Sequence, residues 1–231
     1  MDSCKGHGHE AQADVKDDPK ARELLRKAFE KTARWQPNFK GFSADLTVNV
    51  KGKEATGSVT VKGPRDVSIS LADSDLQKWA ESHIGIIAVH RGPRSFDESD
   101  GKYALSLGDD LDHPLGPKVF IAGDGMHSFY RIKGDRITQI NRKMGHPGMP
   151  PIGFTINVED SMVTKDNKFL TTRYTVYYYS PQDGKLTNVE SFSDSHVRVD
   201  ASDLPASRRI ISYENGEIVV RSLTFANHKM L

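Results

Sequence analysis

The amino-acid sequence predicts an α+β protein: a large, curved antiparallel β-sheet, half-barrel or barrel, with two amphipathic helices packed on its concave face. Three observations predict it. Phe42, Ala44, Leu46, Val48 and Val50 alternate with polar residues, and Val59, Val61 and then Val67, Ile69 and Leu71 repeat that period of two. Two stretches, beginning at Pro19 and at Ser74, carry apolar residues at helical spacing. From Tyr103 to Phe225, short alternating runs are separated by turn signals such as Lys133-Gly-Asp135, Pro181-Gln-Asp-Gly184 and Glu214-Asn-Gly216.

In chain order, residues 1–17 read as a disordered polar tail and residues 18–231 as one β-rich domain. Asp18 followed by Pro19 is an N-cap with proline at the first helical position. Ala21, Leu24, Leu25, Ala28, Phe29 and Thr32 then mark a helix over 19–34, ended by Pro37 and Gly41. Three strands follow to Leu71 with connections too short for parallel crossovers, which makes an antiparallel meander. Ser74 with Gln77 forms a capping box for a second helix, whose stripe of Leu76, Trp79, Ala80, His83, Ile84 and Ile87 extends to His90 and Arg91 before Gly92-Pro93 stops it. Ten strands are expected beyond Tyr103, with 187–192 and 195–199 as separate ones. Asp97-Glu98-Ser-Asp100-Gly101 and the loop of Asp109, Asp110 and Asp112 lack the spacing of a calcium loop and read as turns.

Lysine plus arginine is 32 against 31 acidic residues, a formal charge of +1, so no global basic field points to nucleic acid. Cys4 is the only cysteine, which excludes an intrachain disulfide and a thiolate metal cage. No apolar run reaches the length of a transmembrane segment. The chain as it stands reads as cytoplasmic, whereas Cys4 after a trimmed signal would make it periplasmic or membrane-anchored.

At Trp35-Gln-Pro37-Asn-Phe-Lys-Gly41-Phe42-Ser-Ala44-Asp45, at Val89-His90-Arg91 followed by Phe96, at Ile137-Thr-Gln139-Ile-Asn141-Arg142 and at Phe225-Ala-Asn227, the chain resembles a family known as domain of unknown function 3386. Its members are chiefly proteins of cyanobacteria and photosynthetic eukaryotes. The resemblance covers nearly everything from Pro19 to Leu231 and implies no activity. At a looser level the first helix and meander look like the lipoprotein-carrier group, whose half-barrel holds acyl chains against a helical lid; that likeness implies a fold and no more.

No nucleophile motif or phosphate loop appears, so nothing argues for an enzyme. The candidates that remain are polar residues expected to face the interior: His83, His90, Arg91, Arg142 and His196, with Trp79 beside them. A buried arginine needs a partner, either a core carboxylate such as Asp45 or Glu190 or the anionic head of a ligand. Met144, His146 and Met149 place two thioethers around an imidazole, a soft set suited to copper(I), although a glycine- and proline-rich loop requires no metal; His7 and His9 in the tail are further metal-binding candidates. The leading expectation is a non-enzymatic binder or carrier of an apolar, lipid- or pigment-like small molecule held between sheet and helices, through His90, Arg91, Arg142, His83 and Trp79. The alternatives are a copper-binding oxidoreductase or metal chaperone, and an assembly scaffold that binds a protein partner.

Overall fold

The computed structural model describes residues 15–145 and 150–231. Asp18 caps α1 (Pro19–Lys31) by accepting from the Lys20 amide, with Pro19 at the first turn as expected. The helix ends three residues before 34, because Thr32 and Ala33 leave it to pair with Phe169. The meander follows as β1 (Phe42–Val50), β2 (Lys53–Gly63) and β3 (Asp66–Leu71), then α2 (Ser74–Arg91). The cap of α2 is Asp73 rather than Ser74: its carboxylate accepts from the amides of Asp75 and Leu76, a stronger acceptor than a hydroxyl.

The remaining strands are β4 (Ala104–Leu107), β5 (Lys118–Ala122), β6 (Phe129–Lys133), β7 (Arg136–Met144), β8 (Ile152–Val163), β9 (Phe169–Tyr179), β10 (Leu186–Val199), β11 (Ser202–Glu214) and β12 (Glu217–Met230). The two strands expected at 187–192 and 195–199 are one, β10, with a bulge between Ser195 and His196 that absorbs the irregularity.

All twelve strands form one antiparallel sheet in the order β3-β2-β1-β12-β11-β10-β9-β8-β7-β6-β5-β4. The sheet is open and not strongly curled, so it is neither the barrel nor the half-barrel expected from the sequence. The two ends of the order are the short strands β3 and β4, and between them in sequence α2 takes the chain onto the face of the sheet, leaving β4 only β5 to pair with.

Both helices lie on one face, which the register establishes. Directly opposed residues of an antiparallel pair point the same way. A single row runs Val119, Tyr130, Ile140, Ile156, Val176, Glu190, Ser212, Val219. Val219 shares a side of β12 with Leu223 and Phe225, which oppose Val48 and Leu46 of β1. At the β4–β7 end this face packs Leu105, Val119, Ile121 and Ile132 against Leu25, Ala28 and Phe29 of α1. At the other end Leu46, Val48, Val59 and Val61 pack against Leu76, Ala80 and Ile84 of α2. Covering these side chains supplies most of the stabilisation, about 25 cal/mol for each Å² of apolar surface removed from water.

Candidate functional site

The helices cover the two flanks of the sheet and leave its middle. α1 packs on β4, β6 and β7, and α2 on β1, β2 and β3. Over β8 to β10 the helix-bearing face presents Phe154, Ile156, Tyr174, Val176, Tyr178 and Phe192. Phe192 and Val176 are buried, while Phe154, Ile156, Tyr174 and Tyr178 keep partial exposure. Tyr174 stacks flat on Phe192, with centroids 4.5 Å apart and ring planes 3° apart. The result is a trough with an aromatic floor.

One wall of the trough comes from α2, whose 3.6-residue period splits its stripe in two. Leu76, Ala80, Ile84, Ala88 and Arg91 turn to the sheet and are buried. Trp79, His83, Ile86 and His90 fall on the adjoining flank. Trp79 and His83 reach over the floor: their rings lie 4.6 Å apart, and His83 lies 6.5 Å from Phe192. Ile86 and His90 remain exposed, the former at 46%.

Charge in and around the trough is unevenly paired. Arg208 of β11 forms a bidentate, buried ion pair with Asp194 of β10, at 2.9 and 2.6 Å. Arg142 of β7 instead donates to the Tyr130 hydroxyl. Burial pushes Tyr130 up to about 12, so that hydroxyl stays neutral and gives Arg142 a hydrogen bond without a counter-charge. Arg34, just after α1, donates to the carbonyls of Phe29 and Thr32, and Arg94, just after α2, lies over the Phe29 ring. His90 is held below the ordinary histidine range by desolvation and by the charges of Arg94, Arg142, Arg208 and Arg34. Burial pushes His83 and His196 down to about 4, with Arg208 adding to the first and Arg91 to the second.

The structure brings Trp79, His83, His90 and Arg142 around one trough but sends Arg91 elsewhere. Arg91 is buried at the start of β11, donating to the Asp203 carbonyl at 3.1 Å, with its charge 5.7 Å from the Trp35 ring. The proposed carboxylate partners are corrected too. Asp45 points outward and accepts from Asn227, because Phe42, Ala44 and Leu46 claim the inner face of β1. Glu190 does face inward, where it accepts from the Tyr178 hydroxyl rather than from an arginine. Asp194 and Glu214 are the inner carboxylates that bind arginines, Arg208 and Arg221 respectively, and the period-2 step from Phe192 to Asp194 would have revealed the first. Nothing local marks Arg34 or Arg94.

Met144 ends β7 opposite Ile152, while His146 and Met149, like Cys4, His7 and His9, lie outside the described residues. The acidic loops behave as turns with ion pairs: Asp97 binds Arg26 and Asp110 binds Arg131. Two surface depressions, of about 510 and 350 Å³, lie at the β1–β12 bulge and the β1–β2 turn; neither touches a helix. No described helix is long and apolar enough to cross a membrane.

Fold and site together define an α+β protein with an open antiparallel sheet, two helices on one face, and a partly covered aromatic floor between them. The chain belongs to the family described as "Protein of unknown function (DUF3386)", which matches residues 16–231. No curated protein matches it in sequence. Among solved structures it is similar to a LolA superfamily protein of Nitrosomonas europaea, at 11% identity and a TM-score of 0.36, over 91% of this chain and 93% of that one.

Proposed function

We propose that the protein is a non-enzymatic binder or carrier of an apolar small molecule, lipid- or pigment-like, held in the trough between the helices and the floor of β8 to β10. The observation that carries this reading is that Phe154, Ile156, Tyr174 and Tyr178 stand on the helix-bearing face between the flanks on which the two helices mainly pack, with Trp79 and His83 of α2 reaching over part of them and with partial exposure. A structural layer would bury such side chains, since each Å² left in water forgoes about 25 cal/mol. A ligand that covers roughly 200 Å² of this surface would recover about 5 kcal/mol before its own ordering costs. Trp79 and His83 form the wall against which it lies, and His90 and Arg142 the polar margin. Arg91 is assigned a structural role, because its bond to Asp203 holds it at the start of β11.

Native mass spectrometry of the purified protein, with organic extraction of anything carried, tests the proposal, backed by titration with the neutral dye Nile red. A saturable site that Phe154→Asp abolishes is the expected result. No bound molecule and no saturable dye binding would overturn it.

A further inference from the structure

We infer that the end of the trough beside the last turn of α2 is an anion subsite, formed by Arg34, Arg94, Arg142 and His90, which takes the oxyanion head group of the trough's ligand. The inference rests on the trough being a ligand site. Its chemistry is that of a phosphate or carboxylate ester or acid, recognised by guanidinium forks.

Three separate parts of the chain deliver the arginines: Arg34 from the segment after α1, Arg94 from the segment after α2, and Arg142 from β7. Aromatic rings hold them in place. Arg34 and Arg94 lie 3.8 and 5.8 Å from the centroid of the same ring, Phe29, and Arg142 lies 5.7 Å from that of Tyr130. Among the described residues none of the three forms an ion pair. The same chain pairs Arg22, Arg26, Arg131, Arg198, Arg208 and Arg221 with carboxylates at 2.9 Å or less. Asp100 is close enough to act through space on both Arg34 and Arg142, and Asp124 on Arg142, yet neither carboxylate forms an ion pair with them.

The donors that remain are specific. Arg34 uses Nη1 on carbonyls and Arg142 uses Nη2 on Tyr130, while the Nε atoms of both are buried without a partner. Clustered, unneutralised guanidinium groups repel one another, and an arriving anion turns that repulsion into attraction. The negative end of the α2 dipole accounts for His90 and Arg94 but not for Arg34 or Arg142, which belong to other elements. Arg142 directly opposes Phe154, which opposes Tyr178, so head-group donor and apolar floor share one cross-strand row.

The test compares dodecyl phosphate, dodecanol and inorganic phosphate, each titrated below micelle-forming concentrations into the full chain and into Arg94→Gln and Arg142→Gln variants. Arg94 is exposed and makes no side-chain hydrogen bond among the described residues, so its variant keeps the fold even if Arg142→Gln loosens β7. Dodecyl phosphate is expected to bind roughly tenfold or more tighter than dodecanol. Arg94→Gln is expected to erase most of that margin, a loss of about ten- to a hundredfold for the phosphate and none for the alcohol. Equal binding of phosphate and alcohol, or no effect of either variant, overturns the subsite and leaves the trough standing. Inorganic phosphate binding as tightly as dodecyl phosphate overturns the head-group assignment in favour of a free anion. Failure of both amphiphiles to bind overturns the trough itself.

Discussion

Arg91 reaches from the last turn of α2 to a residue 112 positions later, donating from Nη2 to the backbone carbonyl of Asp203 at 3.1 Å. The Trp35 indole donates to that same carbonyl at 3.2 Å, and the Trp35 amide donates to the carbonyl of Arg91 at 2.7 Å. One oxygen therefore ties together the end of α2, the segment leading to β1, and the start of β11.

This geometry sets the cost of losing Arg91. Truncation would cost 3 kcal/mol or more if it stranded a buried carboxylate, but the acceptor is a carbonyl that keeps its Trp35 bond. Arg91 also buries Nε and Nη1 without partners. Arg91→Ala should therefore lower stability by about 1–2 kcal/mol, mostly lost packing and one charge-assisted bond, with Arg91→Lys rescuing little. Urea denaturation measures it; a loss above about 4 kcal/mol would mean that the carbonyl depends on Arg91 alone.

The Arg208–Asp194 pair should behave oppositely. Both side chains are about nine-tenths or more buried, so removing one strands the other in low dielectric. Asp194→Ala should cost about 3–5 kcal/mol, while Asp194→Leu with Arg208→Met should cost much less. Comparing unfolding free energies of the single and double variants decides this. A double variant as unstable as the single would show that packing, not charge, is at stake.

Stability should fall as the solution is acidified from near neutrality. His83 and His196 drop from the ordinary 6.5 to about 4 in the folded chain. The unfolded chain thus takes up protons below about pH 6.5 that the folded chain refuses until about pH 4. Stability is then complete above about 6.5 and declines through that window. A second decline follows below about 4.5 as Glu214, held down to about 2 chiefly by Arg221, resists protonation. Urea midpoints at pH 7.5 and 5 test the first decline; His83→Gln with His196→Gln should reduce it, leaving the share that His90 contributes.

Gly57 of β2 tests the meander. A Cβ there would stand 1.9 Å from the Ser70 carbonyl oxygen on β3. That oxygen is backbone and cannot swing away, so Gly57→Ala should cost about 1–3 kcal/mol by forcing β3 off β2. An unchanged thermal midpoint would show that the edge strand yields freely.

Much of the architecture is written locally. The period-2 runs of β1 to β3, the Asp18-Pro19 start of α1 and the hairpin at Glu214-Asn-Gly216 depend on neighbours within a few residues, and all appear where the chain encodes them. The split of the α2 stripe was only half legible: its spacing places Trp79, His83 and His90 together, but not which flank meets the sheet.

What the sequence determined by itself, then, is an antiparallel sheet with two helices, because pattern and turn chemistry act over short range. Tertiary structure decided whether the sheet closes, since that depends on whether β3 and β4, far apart in the chain, find each other. It also decided the pairings of charge. Asp194 meets Arg208 through the β10–β11 register, and Arg34, Arg94 and Arg142 converge across more than a hundred residues of sequence. Register and packing, which only the folded chain possesses, choose which charges are paired with carboxylates and which are not.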